Sequence, residues 1–177
     1  MNKKIIAFGA STSRQSINKQ LATFAANQVD NADVTILDLN DFEMPIFNVD
    51  REKETGHPQL ALDFKEQIRH ADGIIVSFAE HNGSFSAAYK NVYDWISRVE
   101  KDVWLQKPML LMATSPGGRG GQTVLEQATG AYSRSNPNVT GSFSLPSFYD
   151  NFGESGIQED NFKADFETKL ASFAAAL

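Results

Sequence analysis

Residues 73–84 read Gly73-Ile74-Ile75-Val76-Ser77-Phe78-Ala79-Glu80-His81-Asn82-Gly83-Ser84. The first six form a short, almost unbroken apolar run, the signature of a strand buried on both faces of a parallel sheet. A polar turn follows. Beyond it, Ala88, Val92, Trp95, Ile96 and Val99 recur at helical spacing and define one apolar face. Strand, polar glycine-marked loop and helix form a unit, and that unit repeats outward in both directions.

Upstream, Ile5-Ile6-Ala7-Phe8 is a buried strand ending at Gly9, and Ile17, Leu21, Phe24 and Ala25 mark a helix with Ser16 as its N-cap. Val34 to Leu39 is expected as the second strand. Asn40 to Pro58 carries turn residues and charges without a period and is expected as a long loop, before Ala61, Phe64, Ile68 and Ala71 announce another helix. Downstream, Pro108 opens the strand Met109 to Thr114, and Ser115-Pro116-Gly117-Gly118-Arg119-Gly120-Gly121 follows as a loop. A weaker helix runs from Val124 to Tyr132. Val139 to Leu145 alternates as an edge strand does, and Phe162, Phe166, Leu170, Phe173 and Leu177 close the chain with a helix.

Five strands alternating with five helices imply an α/β fold with a parallel sheet and helices on both faces. The common doubly wound order for five strands is 2-1-3-4-5, and ligands bind outside the carboxyl ends of its strands at the switch point between strands 1 and 3. The length of 177 residues suits one such domain, residues 1–177. The loops 9–16, 79–86 and 115–121 converge at that edge, and they are also the most polar, glycine-marked loops of the chain. That coincidence locates a ligand site.

Composition narrows the chemistry. Sixteen basic against 22 acidic residues give a net charge of −6, which argues against a nucleic-acid partner. With no cysteine, thiolate nucleophiles, disulfides and Cys-based zinc sites are excluded. His57, His70 and His81 have no metal-ligand spacing, so no metal is expected. No stretch approaches a membrane span, and a cytoplasmic protein is expected.

The first loop places Ser11, Ser13, Ser16 and Asn18 around the start of a helix. Hydroxyls, free backbone amides and the helix dipole together suit a phosphate. The loop carries neither G-x-G-x-x-G nor the P-loop lysine, which counts against dinucleotide and ATP-type sites. Asn82-Gly83 in the second loop and Gly117-Gly118 in the third let a flat ligand approach the backbone closely. No Ser-His-Asp order or carboxylate pair emerges, so hydrolysis is disfavoured.

These residues carry a resemblance to a known family. Ser11-x-Ser13-x-x-Ser16-x-Asn18, Pro45-Ile46-Phe47-x-x-Asp50, Glu80-His81-Asn82-Gly83-Ser84 through Lys90-Asn91-x-x-Asp94-Trp95, and the loop 115–121 resemble the NADPH-dependent FMN reductases. That family includes quinone, azo-dye and chromate reductases of the flavodoxin-like fold, a three-layer sandwich. The resemblance implies FMN as cofactor, with its phosphate held by Ser11, Ser13, Ser16, Asn18 and the amide of Ile17. Glu80, His81, Asn82 and Gly83 would lie along the ribityl chain and ring, and Ser115, Gly117 and Gly118 against the ring's polar edge. It further implies hydride transfer from NADPH or NADH through FMN to a quinone, azo, nitro or similar small-molecule acceptor, or to free flavin, with no catalytic side chain, in a homodimer or homotetramer. The other reading is a flavodoxin-type electron carrier that binds FMN without NAD(P)H turnover. Two departures stand out: His81 occupies a place where many relatives have tyrosine, and Ser13, with Arg14 beside it, stands where many have arginine.

Overall fold

The computed structural model describes residues 2–136 and 138–177. Five strands, β1 (Lys3–Ala10), β2 (Ala32–Ile36), β3 (Gly73–Phe78), β4 (Met109–Thr114) and β5 (Val139–Leu145), form one all-parallel sheet in the order β2-β1-β3-β4-β5. This is the 2-1-3-4-5 arrangement that the alternation of elements implies. Helices α1 (Ile17–Asn27), α2 (Val49–Thr55), α3 (Gln59–His70), α4 (Ala87–Val99), α5 (Gln122–Tyr132) and α6 (Asp160–Ala176) connect and cover it.

Alternate residues of each strand feed two cores. Ile6, Phe8, Ile74, Val76 and Leu111 pack with Phe64 and Ile68 of α3, Trp95 and Ile96 of α4, and Val124 of α5. Ile5, Ala7, Ile75, Leu110 and Met112 pack on the opposite face with Leu21 and Ala25 of α1 and Phe166, Leu170 and Phe173 of α6. Both faces of the central strands are buried, which is why β3 and β4 read as continuous apolar runs. The edge strand β5 keeps most of its residues half-exposed and alternates accordingly.

Three boundaries differ from the sequence expectation. β1 continues through Gly9 and Ala10, so the first loop begins at Ser11. Gly9 stays in the strand because α1 crosses directly over it: a Cβ there would lie 2.4 Å from the Lys19 amide nitrogen. β2 occupies Ala32–Ile36, earlier than expected. Leu37 still donates its amide to the Ala7 carbonyl of β1 at 2.9 Å, but the buried Leu39 leaves the sheet, because the Asp38 side chain accepts from the Asn40 amide and starts a 3-10 turn over Leu39–Phe42. The expected long loop contains α2, whose first turn is capped by Asn48 and whose end turns at Gly56 with φ +72°. No residue of α2 is buried, so no apolar period betrays it.

The register sets the edge that matters. Ala10 pairs with Phe78, and Phe78 with Ala113, so the loops after β1, β3 and β4 leave the sheet side by side. Among the described residues, no helix is long and apolar enough to cross a membrane.

Candidate functional site

The first loop is built around serine hydroxyls that accept from backbone amides. The Ser11 hydroxyl accepts from the Ser13 amide at 3.1 Å, and the Ser16 hydroxyl caps α1 by accepting from the Lys19 amide at 3.1 Å. Each oxygen thus accepts within the protein and keeps its proton to donate elsewhere. The amides of Gln15, Ile17 and Asn18 have no acceptor among the described residues. The first turn of α1 carries no acidic side chain to offset its positive end. This donor set fits an anion with several oxygens, and a phosphomonoester in particular.

Asn18 takes a different place from the one implied for it. Its side chain is buried and clasps the sheet: Oδ1 accepts from Ser77 Oγ at 2.7 Å and from the Thr114 amide at 3.0 Å, while Nδ2 donates to the Thr114 carbonyl at 3.1 Å. One amide group therefore ties the start of α1 to the ends of β3 and β4. Ser86 acts similarly, donating to the Ala10 carbonyl at 2.7 Å while capping α4 through the Tyr89 amide.

The second loop is a tight hairpin. Glu80-His81 pairs with Ser84-Phe85 across Asn82-Gly83, whose φ angles of +52° and +74° are those of a two-residue hairpin turn. The Glu80 carboxylate turns away from the loop tip and accepts from the Val124 amide at 3.0 Å, capping α5, which has no side-chain cap of its own at Gly121. His81 is exposed.

In the third loop, Gly120 and Gly121 have φ of +59° and +71°, so the backbone itself requires glycine there. Gly117 and Gly118 do not share that requirement. A Cβ at Gly118 would meet nothing within 4 Å, and one at Gly117 only Ser115 Oγ at 4.0 Å. Bare backbone facing open space is a surface on which a planar group can lie. The loop is pinned from behind: Ser147 and Phe148 donate their amides to the Gly117 and Ser115 carbonyls, each at 3.0 Å.

Ser11, Ser13, Ser16, Ile17, Asn18, Glu80, His81 and Ser115 line one cleft of about 250 Å³, while Asn82, Gly83, Gly117 and Gly118 lie in the same loops beyond its walls. Gln15, Thr114, Pro116 and Tyr149 also line it and were not anticipated. Tyr149, 71% exposed, stands on a single helical turn, Phe148–Asn151, that follows β5. Its signal was topological, because a fifth parallel strand ends at the same edge as the others. A second cleft of about 340 Å³ begins at Thr12 on the other side of the first loop and is walled by Met44, Ile46 and Asn91. That wall is anchored to α4: Asn91 Nδ2 donates to the Met44 carbonyl at 3.0 Å and Trp95 Nε1 to the Pro45 carbonyl at 2.7 Å. A larger cleft, about 570 Å³, lies at the opposite edge between Lys3, Val29 and α6, away from all three loops. Lys90 and Asp94, one turn apart on α4, form an ion pair at 2.7 Å.

The NADPH-dependent FMN reductase model matches residues 3–150. The chain belongs to that family. Its members are oxidoreductases that use FMN with NAD(P)H as reductant. The chain is 35% identical over 79 residues to a quinone reductase of Escherichia coli, a match covering 45% of this chain and 42% of that one. It is 34% identical over 121 residues to a 2-hydroxy-1,4-benzoquinone reductase of a Burkholderia species, covering 68% and 64% respectively. The matches thus span from about two fifths to just under two thirds of those relatives' own lengths. The fold is shared with the flavoenzyme NAD(P)H:(acceptor) oxidoreductase FerB from Paracoccus denitrificans, with a TM-score of 0.75, 20% identity and coverage of 98% and 96%. An oxidoreductase from Corynebacterium diphtheriae shares it too, with a TM-score of 0.76, 17% identity and coverage of 99% and 96%.

Proposed function

We propose that this family member holds FMN at the edge formed by the three loops and reduces a quinone or a similar small acceptor at the expense of NAD(P)H. The observation that carries the reading is the donor set of the first loop: serine protons and α1 amides left without acceptors, at a helix end with no acidic residue. Ser11, Ser13, Ser16 and the Ile17 amide grip the phosphate, and Asn18 holds their loop against β3 and β4. The turn Asn82-Gly83 and the bare backbone of Gly117-Gly118 receive the ring between them, with Ser115 and the third-loop amides toward its polar edge. FMN held there would supply the redox chemistry, hydride acceptance from NAD(P)H and electron delivery to the acceptor. The protein positions, shields and tunes, so no side chain is given a catalytic role. The exposed Ile46 and Val49, 70% and 52% accessible beside the second cleft, mark the face through which a second copy of the chain would complete the site.

The test is reconstitution with FMN followed by anaerobic mixing with NADPH or NADH. Loss of the flavin's visible absorption, and its return on adding a quinone, is expected. Failure to bind FMN, or a bound flavin that neither nucleotide bleaches, overturns the reading.

A further inference from the structure

Beside the first loop, on the outer side of α1, lies a further cleft of about 470 Å³. Gln15 and Ser16 line both it and the 250 Å³ cleft read above as the phosphate site, so the two adjoin across one turn of backbone. Its volume falls within the range of small-molecule pockets, roughly 300–1,000 Å³. Its charge is as telling. Arg14 lines it, is exposed, and makes no ion pair among the described residues, in a chain whose net charge is −6. The other cation in reach, Lys19, is already committed to Asp38 at 2.5 Å.

The far wall is aromatic and rigid. Phe24 and Phe152 are half-buried and meet edge to face, with ring centroids 5.4 Å apart. Phe24 is fixed from behind by Phe166 at 5.5 Å and by Gly156, where a Cβ would lie 2.3 Å from its ring. Gly156 has φ +91°, so the hairpin Phe152–Gly153/Gly156–Ile157 reaches this ring only because a glycine stands there. An unpaired guanidinium next to a phosphate grip, and beyond it a fixed aromatic surface, is the arrangement a nucleoside phosphate needs: a second anion near Arg14, then a base against the rings.

We propose that this cleft takes the adenylate half of FAD, so that the site accepts the dinucleotide form of the flavin as well as FMN. The inference rests on the phosphate-site reading above. Extending from a phosphate held at the start of α1, the second phosphate of FAD passes Gln15 toward Arg14, and the adenine lies toward Phe24 and Phe152.

Calorimetric titration of the apoprotein with FMN, FAD and 5′-AMP tests this in the wild type and in Gln20→Glu and Phe152→Ala. Gln20 is an exposed α1 residue on the cleft wall, so its substitution adds a negative charge without disturbing the core. FAD is expected to bind at least as tightly as FMN. Each substitution is expected to weaken FAD by about tenfold while FMN stays within about twofold. AMP should bind weakly and be displaced by FAD but not by FMN. FAD binding tenfold weaker than FMN, or both flavins weakened equally by the substitutions, overturns the proposal. AMP that FAD cannot displace also overturns it, assigning the cleft to a separate nucleotide. No binding of FMN at all would instead strike the reading beneath it, a result distinguishable from each of these.

Discussion

Asn18 concentrates at one residue what the candidate site requires of three loops. Its amide is buried, accepts from Ser77 and Thr114 and donates to Thr114. Truncation leaves a buried backbone amide and carbonyl unpaired, at a cost of about 2–3 kcal/mol. Asn18→Ala should therefore lower the free energy of unfolding measured in urea by that much and weaken FMN binding at least tenfold through loss of loop registration. Ser77→Ala removes a single hydroxyl donor and should cost about 1 kcal/mol. A lost FMN affinity in Asn18→Ala with unchanged stability would place this side chain on the ligand and not on the framework. Gly9 makes a second residue-scale case. Any side chain there meets the α1 backbone at 2.4 Å, so Gly9→Ala must push α1 off the strand. A destabilisation of about 1–3 kcal/mol is expected, together with a loss of FMN affinity, because α1 carries the amides that face the phosphate.

Among the elements, the hairpin after β3 and helix α5 are joined by Glu80. An acceptor at an otherwise uncapped helix start is worth about 1 kcal/mol, and its negative charge complements the helix dipole. Glu80→Ala should cost about that much and speed amide exchange in the first turn of α5, while Glu80→Gln, which keeps an acceptor, should recover part of the loss. Such partnerships explain what the sequence could and could not convey. Buried strands and amphipathic helices announce themselves locally, so β1, β3, β4, β5 and all five expected helices (α1, α3, α4, α5 and α6) can be read from period alone, and the doubly wound order follows from their alternation. Helix α2 hid because nothing in it is buried, although Asn48 and Gly56 stood at its two ends as capping signals. β2 lies earlier than the apolar run suggests because Leu39, as apolar as a strand residue, belongs to a turn started by Asp38. The three ligand loops were visible through their serines and glycines. The work of Asn18 and Glu80 was not, because their partners lie up to 96 and 44 residues away. Nothing local marks Tyr149, whose place comes from where a fifth strand ends.

At the scale of the whole molecule, one buried hydroxyl pair couples the covering helices and sets a limit on the alkaline side. Tyr89 of α4 and Tyr132 of α5 are fully buried and hydrogen-bond to each other through their hydroxyls, within an aromatic cluster that includes Phe78, Phe85, Tyr93 and Trp104. Burial holds both phenols in the neutral form and pushes their ionisation well above the ordinary value, and that of Tyr93 is raised by the same cause. In the unfolded chain a tyrosine ionises near pH 10. The unfolded state therefore binds fewer protons than the folded one above that pH, and stability falls as pH rises through it, while the full contribution is present below. Lys65 works in the opposite sense. It is buried with its ammonium donating to the Asp102 and Val103 carbonyls, and desolvation lowers its ionisation below the usual lysine value despite the nearby Glu100. Its effect is to raise stability with pH, and it ends near the lysine's unfolded value of about 10.4. Beyond that point the tyrosines act alone. The phenolate absorbance of Tyr89 and Tyr132 should consequently appear as a cooperative step that coincides with loss of the far-ultraviolet circular dichroism. Replacing both residues with phenylalanine removes donor and acceptor together and should be nearly neutral at pH 7, while Tyr89→Phe alone strands the Tyr132 hydroxyl and should cost about 1–2 kcal/mol. The double variant should also unfold at a higher pH than the wild type. Phenolate that appears gradually, ahead of unfolding, would mean that water reaches the pair and that the two helices are not locked across it.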